Sequence, residues 1–182
     1  MNNTTTNQSK IKNLALYGLF IALVYVATRF INIPGPTSGG LFHLGNVMAF
    51  TIAIVFGKKA GAISGAFGMA LFDVTSSYFI WAPFTFIIRF TMGYIMGYLS
   101  HKAGSSKSKV IIFNSLGIII ATMIMVGGYY LTEAAMLGNF IAPIQSIWGN
   151  FMQCVVGAVI GLPLAYYLQG AFTRRNILTN LR

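Results

Sequence analysis

The segment VIIFNSLGIIIATMIMVGGYYL occupies residues 110–131 and decides the fold class, because it carries no charged side chain over 22 positions. About 20 consecutive apolar residues are enough for a helix to cross the hydrocarbon core of a bilayer. Five further apolar runs flank it, at 14–31, 41–56, 57–76, 83–100 and 144–168. The pattern predicts an all-α integral membrane protein, built as a bundle of six transmembrane helices.

The composition excludes the soluble classes of protein. Of the 182 residues, 56% are hydrophobic and only 8% are charged, whereas soluble domains carry about 25% charged residues. The net charge of +10 does not indicate a nucleic-acid partner, because the 12 basic residues are scattered among apolar runs and form no continuous basic face. The single cysteine, Cys154, excludes an intrachain disulfide and a cysteine-based metal cluster, and no cofactor is expected.

The charges predict how the chain is oriented. A polar tail (1–13) precedes the predicted membrane domain (14–170), and a basic tail (171–182) follows it. No small-residue cleavage site marks a signal peptide, so the first span is expected to remain. With six spans both termini share one side, which is cytoplasmic by the positive-inside rule. That side receives ten of the twelve basic residues: Lys10, Lys12, Lys58, Lys59, Lys102, Lys107, Lys109, Arg174, Arg175 and Arg182.

The four remaining charges, Arg29, Asp73, Arg89 and Glu133, are all predicted in the outer layer, with Glu133 just past the fifth span. Arg89 stands within the apolar segment WAPFTFIIRF (81–90), where exposure to lipid would cost about 2.5–3.5 kcal/mol or more. We expect Asp73 and Arg89 at similar depth on adjacent antiparallel helices. Two interpretations stay open: an ion pair that clamps two helices, or the border of a polar pocket that opens outward.

Further polar and aromatic residues gather at the same predicted depth. On the sixth span, Ser146, Asn150, Gln153, Gly157 and Gly161 are spaced to share one helical face. Aromatic rings near the outer boundary either line a pocket or belong to an interfacial belt. We predict a pocket for a small, planar, polar molecule, formed by His43, Asn46, Asp73, Tyr78, Trp81, Arg89, Trp148, Asn150 and Gln153.

Small residues predict where helices approach closely. Ala15, Gly18 and Ala22 line one face of the first span, and this groove is expected to receive a helix of an external partner. On the third span, Gly61 with Gly65 and Ala62 with Ala66 form small faces, for which we expect a neighbour in the same bundle.

The segment HLGNVMAFTIAIVFGKKAGAISGAFGMALFDVTSSYFIWAPFTFIIRFTMGY (43–94) resembles the substrate-binding S components of energy-coupling factor (ECF) vitamin transporters. Its HLGN, GKKAG and APFTFIIR motifs are most similar to the hydroxymethylpyrimidine and pyridoxine type. The resemblance implies a six-helix membrane bundle with a vitamin pocket near the outside. It also implies a transmembrane coupling subunit, docked on the small face of the first helix, and two cytoplasmic ATPase subunits. Gly18 stands where these proteins commonly have alanine.

Other functions fit the sequence less well. An enzyme is poorly supported, because the two acids are far apart and the two histidines, His43 and His101, are assigned to opposite sides of the membrane. An ATPase is excluded, since no G-x-x-x-x-G-K-[ST] motif occurs. A stand-alone secondary carrier stays open, as does an S component for riboflavin, thiamine or pantothenate. The expected location is the plasma membrane of a prokaryote.

Overall fold

The protein folds as a bundle of six helices, seen in a computed structural model that describes residues 2–34, 41–104 and 106–174. A short 3-10 turn, Phe79–Trp81, precedes the fourth helix, and two three-residue strands, β1 and β2, follow the first. In chain order the elements are α1 (Asn2–Phe30), β1 (Asn32–Pro34), β2 (Leu41–His43), α2 (Gly45–Phe56), α3 (Lys58–Val74), α4 (Ala82–Lys102), α5 (Lys107–Leu137) and α6 (Ile144–Arg174).

Four segments are long and apolar enough to cross a membrane: Lys10–Phe30, Phe79–Lys102, Ser108–Leu137 and Ile144–Phe172. The other two helices are shorter, with 12 residues in α2 and 17 in α3. At 1.5 Å per residue α2 measures about 18 Å, against about 30 Å of hydrocarbon. The predicted number of helices is therefore confirmed, whereas only four of those described have the length and composition of a full span.

The turn at Gly57 explains why two helices are short. Gly57 adopts a φ of 90°, a conformation that residues with a Cβ rarely tolerate, so α2 ends and α3 begins on either side of one residue. Ten of the 12 residues of α2 are buried, which makes it the central helix of the bundle.

Two predicted helix boundaries were wrong. The second helix begins at Gly45 and not at residue 41, because Leu41–His43 pairs antiparallel with Asn32–Pro34. The fifth helix continues to Leu137, where Gly138 ends it in the left-handed conformation, so Glu133 lies inside the helix. The first helix begins at Asn2 and includes most of the predicted polar tail. Loop residues 35–40 and the basic residues Arg175 and Arg182 lie outside the described residues.

Helices α3 and α4 pack in close antiparallel contact through glycine. A Cβ on Gly93 would collide with the Gly61 carbonyl oxygen, and a Cβ on Gly97 would lie 2.5 Å from the Lys58 nitrogen. Gly61 also lies against Ala53 of α2. The small face predicted on the third span therefore has its partners within the bundle.

The small face of α1 is different, because Ala15, Gly18 and Ala22 are all exposed. A Cβ built on Gly18 would meet no atom within 4 Å. The opposite side of α1 packs into the core through Phe20 and Val24, which lie beside Ile52 and Met69. The exposed face is therefore open to a partner outside the described chain.

Candidate ligand-binding site

Arg89 is buried inside the bundle, with only 4% of its surface exposed. Its Nη1 donates to the Asn46 Oδ1 of α2, and its Nε donates to the Tyr129 Oη of α5 at 3.3 Å. The Sδ atom of Met125 also lies 3.0 Å from Nη1. The guanidinium is thus held by neutral groups through its Nε and Nη1.

Tyr129 connects Arg89 to α4 as well. The Arg89 Cζ lies 5.3 Å from the centroid of the Tyr129 ring, and the Tyr129 hydroxyl donates to the Thr85 Oγ1 at 3.0 Å. The Thr85 side chain in turn lies near the Asp73 carboxylate. Hydrogen bonds therefore link Arg89 through Tyr129 to Thr85, and Thr85 lies beside Asp73.

Asp73 is 7% exposed, and its Oδ2 has no hydrogen-bond partner among the described residues. Within that part of the chain Asp73 makes no ion pair with Arg89, so the direct pair considered from the sequence is absent. A buried carboxylate oxygen without a donor is costly, which makes this oxygen a candidate to accept a bond from a ligand.

The predicted equal depth of Asp73 and Arg89 was wrong, and helix packing explains the difference. A Cβ on Gly65 would lie 3.5 Å from the Arg89 carbonyl oxygen, so Gly65 is opposite Arg89. Asp73 comes eight residues later on α3, about 12 Å further along the helix axis. The Arg89 side chain leans toward the start of α4, as helical side chains do, and so points toward Thr85 and Asp73.

The HLGN segment is fixed by contacts at the start of α2. The His43 Nδ1 accepts a bond from the Gly45 N–H at 3.2 Å, and the His43 ring centroid lies 6.3 Å from that of Phe72. A Cβ on Gly45 would collide with the Thr28 Oγ1 of α1 and lie 2.9 Å from the Met69 Cε. The close approach at Gly45 places fully buried Asn46 beside Arg89.

Helix α6 closes the other side of Asn46. The Asn46 Nδ2 lies 3.6 Å from the Cys154 Sγ, and a Cβ on Gly157 would lie 2.7 Å from the Asn46 Cβ. Gln153, next to Cys154, is 8% exposed, and Asn150 is half-buried. The face predicted on the sixth span therefore points into the bundle, at the level of Asn46 and beyond.

The three aromatic residues predicted to line the pocket differ in their positions relative to the site. The Trp81 ring centroid lies 6.1 Å from that of Tyr129, and the Tyr78 ring stacks on Phe72 at 6.1 Å. Trp148 is 60% exposed and packs against Phe151. The structure thus brings Tyr78 and Trp81 to the site, whereas it leaves Trp148 outside it, where an interfacial belt accounts for the ring.

Sequence reasoning missed three residues of the site: Thr85, Met125 and Tyr129. Thr85 lies one turn before Arg89 in the quoted segment, a spacing that signals contact on one helical face. Met125 and Tyr129 share a face of α5, but nothing in an apolar run of 22 residues indicates which face is turned inward. We call Asn46, Asp73, Thr85, Arg89 and Tyr129 the polar cluster.

The polar cluster offers hydrogen bonds to a ligand. Asp73 supplies an acceptor oxygen, Arg89 supplies donors, and Trp81 and Tyr78 supply aromatic surface nearby. The described residues contain no group of three or more His, Cys, Asp or Glu that could hold a metal ion. The arrangement is suited to a small polar ring that is both a donor and an acceptor.

Comparisons with known proteins agree with this reading. The profile of the family described as ECF-type riboflavin transporter, S component, matches residues 8–169. A protein of Lactococcus lactis subsp. cremoris named thiamine precursor transporter HmpT is 30% identical over 177 residues, which cover 97% of this chain and 96% of that protein. An uncharacterized protein of Pyrococcus woesei is 33% identical over 146 residues, 80% of this chain and 94% of its own length.

Proposed function

The chain belongs to the family of ECF-type riboflavin transporter S components, and from this premise we propose that it captures a pyrimidine precursor of thiamine for uptake. Membership makes it a membrane subunit that transports a vitamin or vitamin precursor. Hydroxymethylpyrimidine is the proposed ligand, and pyridoxine is the second candidate.

The buried acceptor of Asp73 is the observation that carries the proposed class of ligand, a small ring with both donors and acceptors. Its Oδ2 has no donor among the described residues, and the hydrogen bonds of Arg89 use Nε and Nη1 only. Hydroxymethylpyrimidine has an amino group that can donate to Asp73 and ring nitrogens that can accept from Arg89. The name of the relative from Lactococcus lactis, a thiamine precursor transporter, supports the same choice.

Pyridoxine meets the same requirement in another way. Its hydroxyl groups can donate to Asp73, and its ring nitrogen and hydroxyl oxygens can accept from Arg89.

Of the predicted pocket residues, we assign His43, Asn46, Asp73, Tyr78, Trp81, Arg89, Asn150 and Gln153 to the ligand site. Trp148 is assigned to the membrane boundary.

The proposed topology places the polar cluster near the outside and both termini in the cytoplasm. The lysines that support it lie in the first half of α1, at the start of α3, at the end of α4 and at the start of α5. These positions share one end of an antiparallel bundle, and Asp73 and the start of α4 lie at the other. An excess of basic residues marks the cytoplasmic side.

We further propose that the exposed face formed by Ala15, Gly18 and Ala22 docks on a transmembrane coupling subunit. Small side chains let two helices approach closely within a bilayer. Two ATPase subunits bound to the coupling subunit would then supply the energy, since the sequence has no nucleotide-binding motif.

The test is calorimetry of the detergent-purified chain with hydroxymethylpyrimidine, pyridoxine, riboflavin, thiamine and pantothenate. We expect hydroxymethylpyrimidine to bind most tightly. Tightest binding of riboflavin would overturn the choice of ligand but leave the S-component function standing. Accumulation of vitamin in liposomes that contain this chain alone would instead identify a stand-alone carrier.

A further inference from the structure

A row of aromatic rings runs along the outside of α4. Phe86, Phe90 and Tyr94 follow one another at intervals of four residues, with ring centroids 6.3 and 6.4 Å apart and planes inclined by 21° and 13°. Tyr98 continues the spacing. We call these four residues the aromatic ridge. Over twelve positions it extends about 18 Å along the helix, which exceeds the hydrocarbon thickness of one bilayer leaflet, about 15 Å.

The ridge is largely exposed, since Phe90, Tyr94 and Tyr98 each keep 39–45% of their surface free. Phe67 of α3 packs edge-on against Phe86 at 4.9 Å and widens the apolar surface. A membrane protein needs no stacked rings merely to contact lipid, because aliphatic side chains do so equally well. The row of rings therefore forms a continuous apolar surface along which an extended apolar chain can lie.

Two lysines meet at one end of this ridge. The Lys58 Nζ, at the start of α3, lies 5.3 Å from the Tyr94 ring centroid and 5.5 Å from that of Tyr98. The Lys102 Nζ, in the last turn of α4, lies 5.7 Å from the Tyr98 ring centroid. Attraction between ammonium groups and ring faces holds both charges at the same place.

No acid of the described chain neutralises these ammonium groups. The sequence has two acids: Asp73 belongs to the polar cluster, and Glu133 lies near the end of α5, away from the start of α3. No ion pair is recorded for Lys58 or Lys102 among the described residues. The described residues therefore supply no counter-ion for this pair.

We infer that the end of the aromatic ridge binds an anionic phospholipid. The phosphate lies between Lys58 and Lys102, where the hydroxyls of Tyr94 and Tyr98 can donate to it, and an acyl chain lies along the ridge toward Phe86. A lipid supplies both the negative charge and the apolar chain that this surface requires. A soluble anion supplies only the negative charge. This site does not depend on the proposed vitamin.

The test compares phosphatidylglycerol with phosphatidylcholine, using the full-length chain purified in an uncharged detergent. Native mass spectrometry counts the retained lipids, and thermal unfolding measures the stabilisation. We expect phosphatidylglycerol to bind about tenfold more tightly than phosphatidylcholine. The double variant Lys58→Gln/Lys102→Gln should lose most of this preference, and Lys102→Gln alone should lose part of it.

Lys59→Gln is the matched control, because Lys59 is exposed, lies next to Lys58 and makes no recorded ring contact. It should keep the preference within about twofold, as expected for a surface charge. Equal loss in Lys59→Gln would overturn the inference, and so would a preference that persists in the double variant and in Lys102→Gln. Stabilisation by inorganic phosphate alone would indicate a simple anion site. Loss of coupling-subunit assembly with unchanged lipid preference would assign the lysines to a protein partner instead.

Discussion

Arg89 and Asp73 make no direct ion pair, and Arg89 is instead hydrogen-bonded through Tyr129 to Thr85, which lies beside Asp73. A direct pair would satisfy both charges within the protein and leave little for a ligand. The bonds to Asn46 and Tyr129 fix the Arg89 side chain, and the Asp73 Oδ2 has no donor among the described residues. Buried polar groups that are fixed but incompletely bonded are suited to bind a polar ligand.

Arg89→Met should weaken binding of the vitamin by about 1.5–3 kcal/mol, because it removes charge-assisted hydrogen bonds. It should also lower stability, since Asn46 and Tyr129 lose their shared partner. Adding Asp73→Asn should not restore binding, because the two residues do not neutralise each other directly. Calorimetry of both variants measures their affinity for the vitamin. Full recovery of affinity in the double variant would show that Arg89 only clamps the helices.

Asp73→Asn should reduce affinity for hydroxymethylpyrimidine about tenfold or more, because the replacement keeps the shape but changes the charge and turns one acceptor into a donor. The fold should persist, since asparagine has nearly the same shape as aspartate and removes no hydrogen bond from the Asp73 Oδ2. Thermal unfolding checks the fold, and calorimetry checks the affinity. Unchanged affinity for every vitamin tested would exclude Asp73 from the ligand site.

Tyr129→Phe should cost about 0.5–1.5 kcal/mol of stability and weaken vitamin binding, because it removes the hydroxyl between Arg89 and Thr85. The neighbouring change Tyr130→Phe is the control. The Tyr130 hydroxyl donates to the Phe140 carbonyl at an exposed position, away from the polar cluster. If both variants bind the vitamin equally well, Tyr129 does not position Arg89 for the ligand.

Gly18→Leu should prevent assembly with the coupling subunit while vitamin binding by the isolated chain stays intact. The leucine meets no atom of this chain within 4 Å of its Cβ, so the fold has room for it. Gly127→Leu on α5 is the matched control, because a Cβ at that position also meets no atom within 4 Å. Co-purification measures assembly. Normal assembly of Gly18→Leu would place the docking surface elsewhere.

Gly93→Ala should destabilise the bundle by about 1–3 kcal/mol, since the added methyl would collide with the Gly61 carbonyl oxygen and force α3 and α4 apart. Gly127→Ala adds the same methyl in open space and should be neutral or slightly stabilising. The comparison of their unfolding midpoints isolates helix packing from helix propensity. Equal midpoints would contradict the close contact.

Much of the fold was predictable because lipid imposes strong constraints on a sequence. A long apolar run without charges has to form a helix in a bilayer, so six helices followed from six runs. The cost of exposing a guanidinium to lipid likewise placed Arg89 inside the protein. The small face of the third span predicted close packing within the bundle, which its contacts with Ala53 and Gly93 show.

The sequence by itself determined that the chain is a membrane helix bundle with a buried arginine, because hydrophobicity acts on each segment separately. Only the tertiary structure decided which residues meet Arg89. That choice depends on the offset between α3 and α4, which the contacts of Gly61, Gly65, Gly93 and Gly97 fix to within a turn. It depends equally on the rotation of α5, which turns Tyr129 inward. Offset and rotation arise from packing between helices, and no single apolar run encodes them.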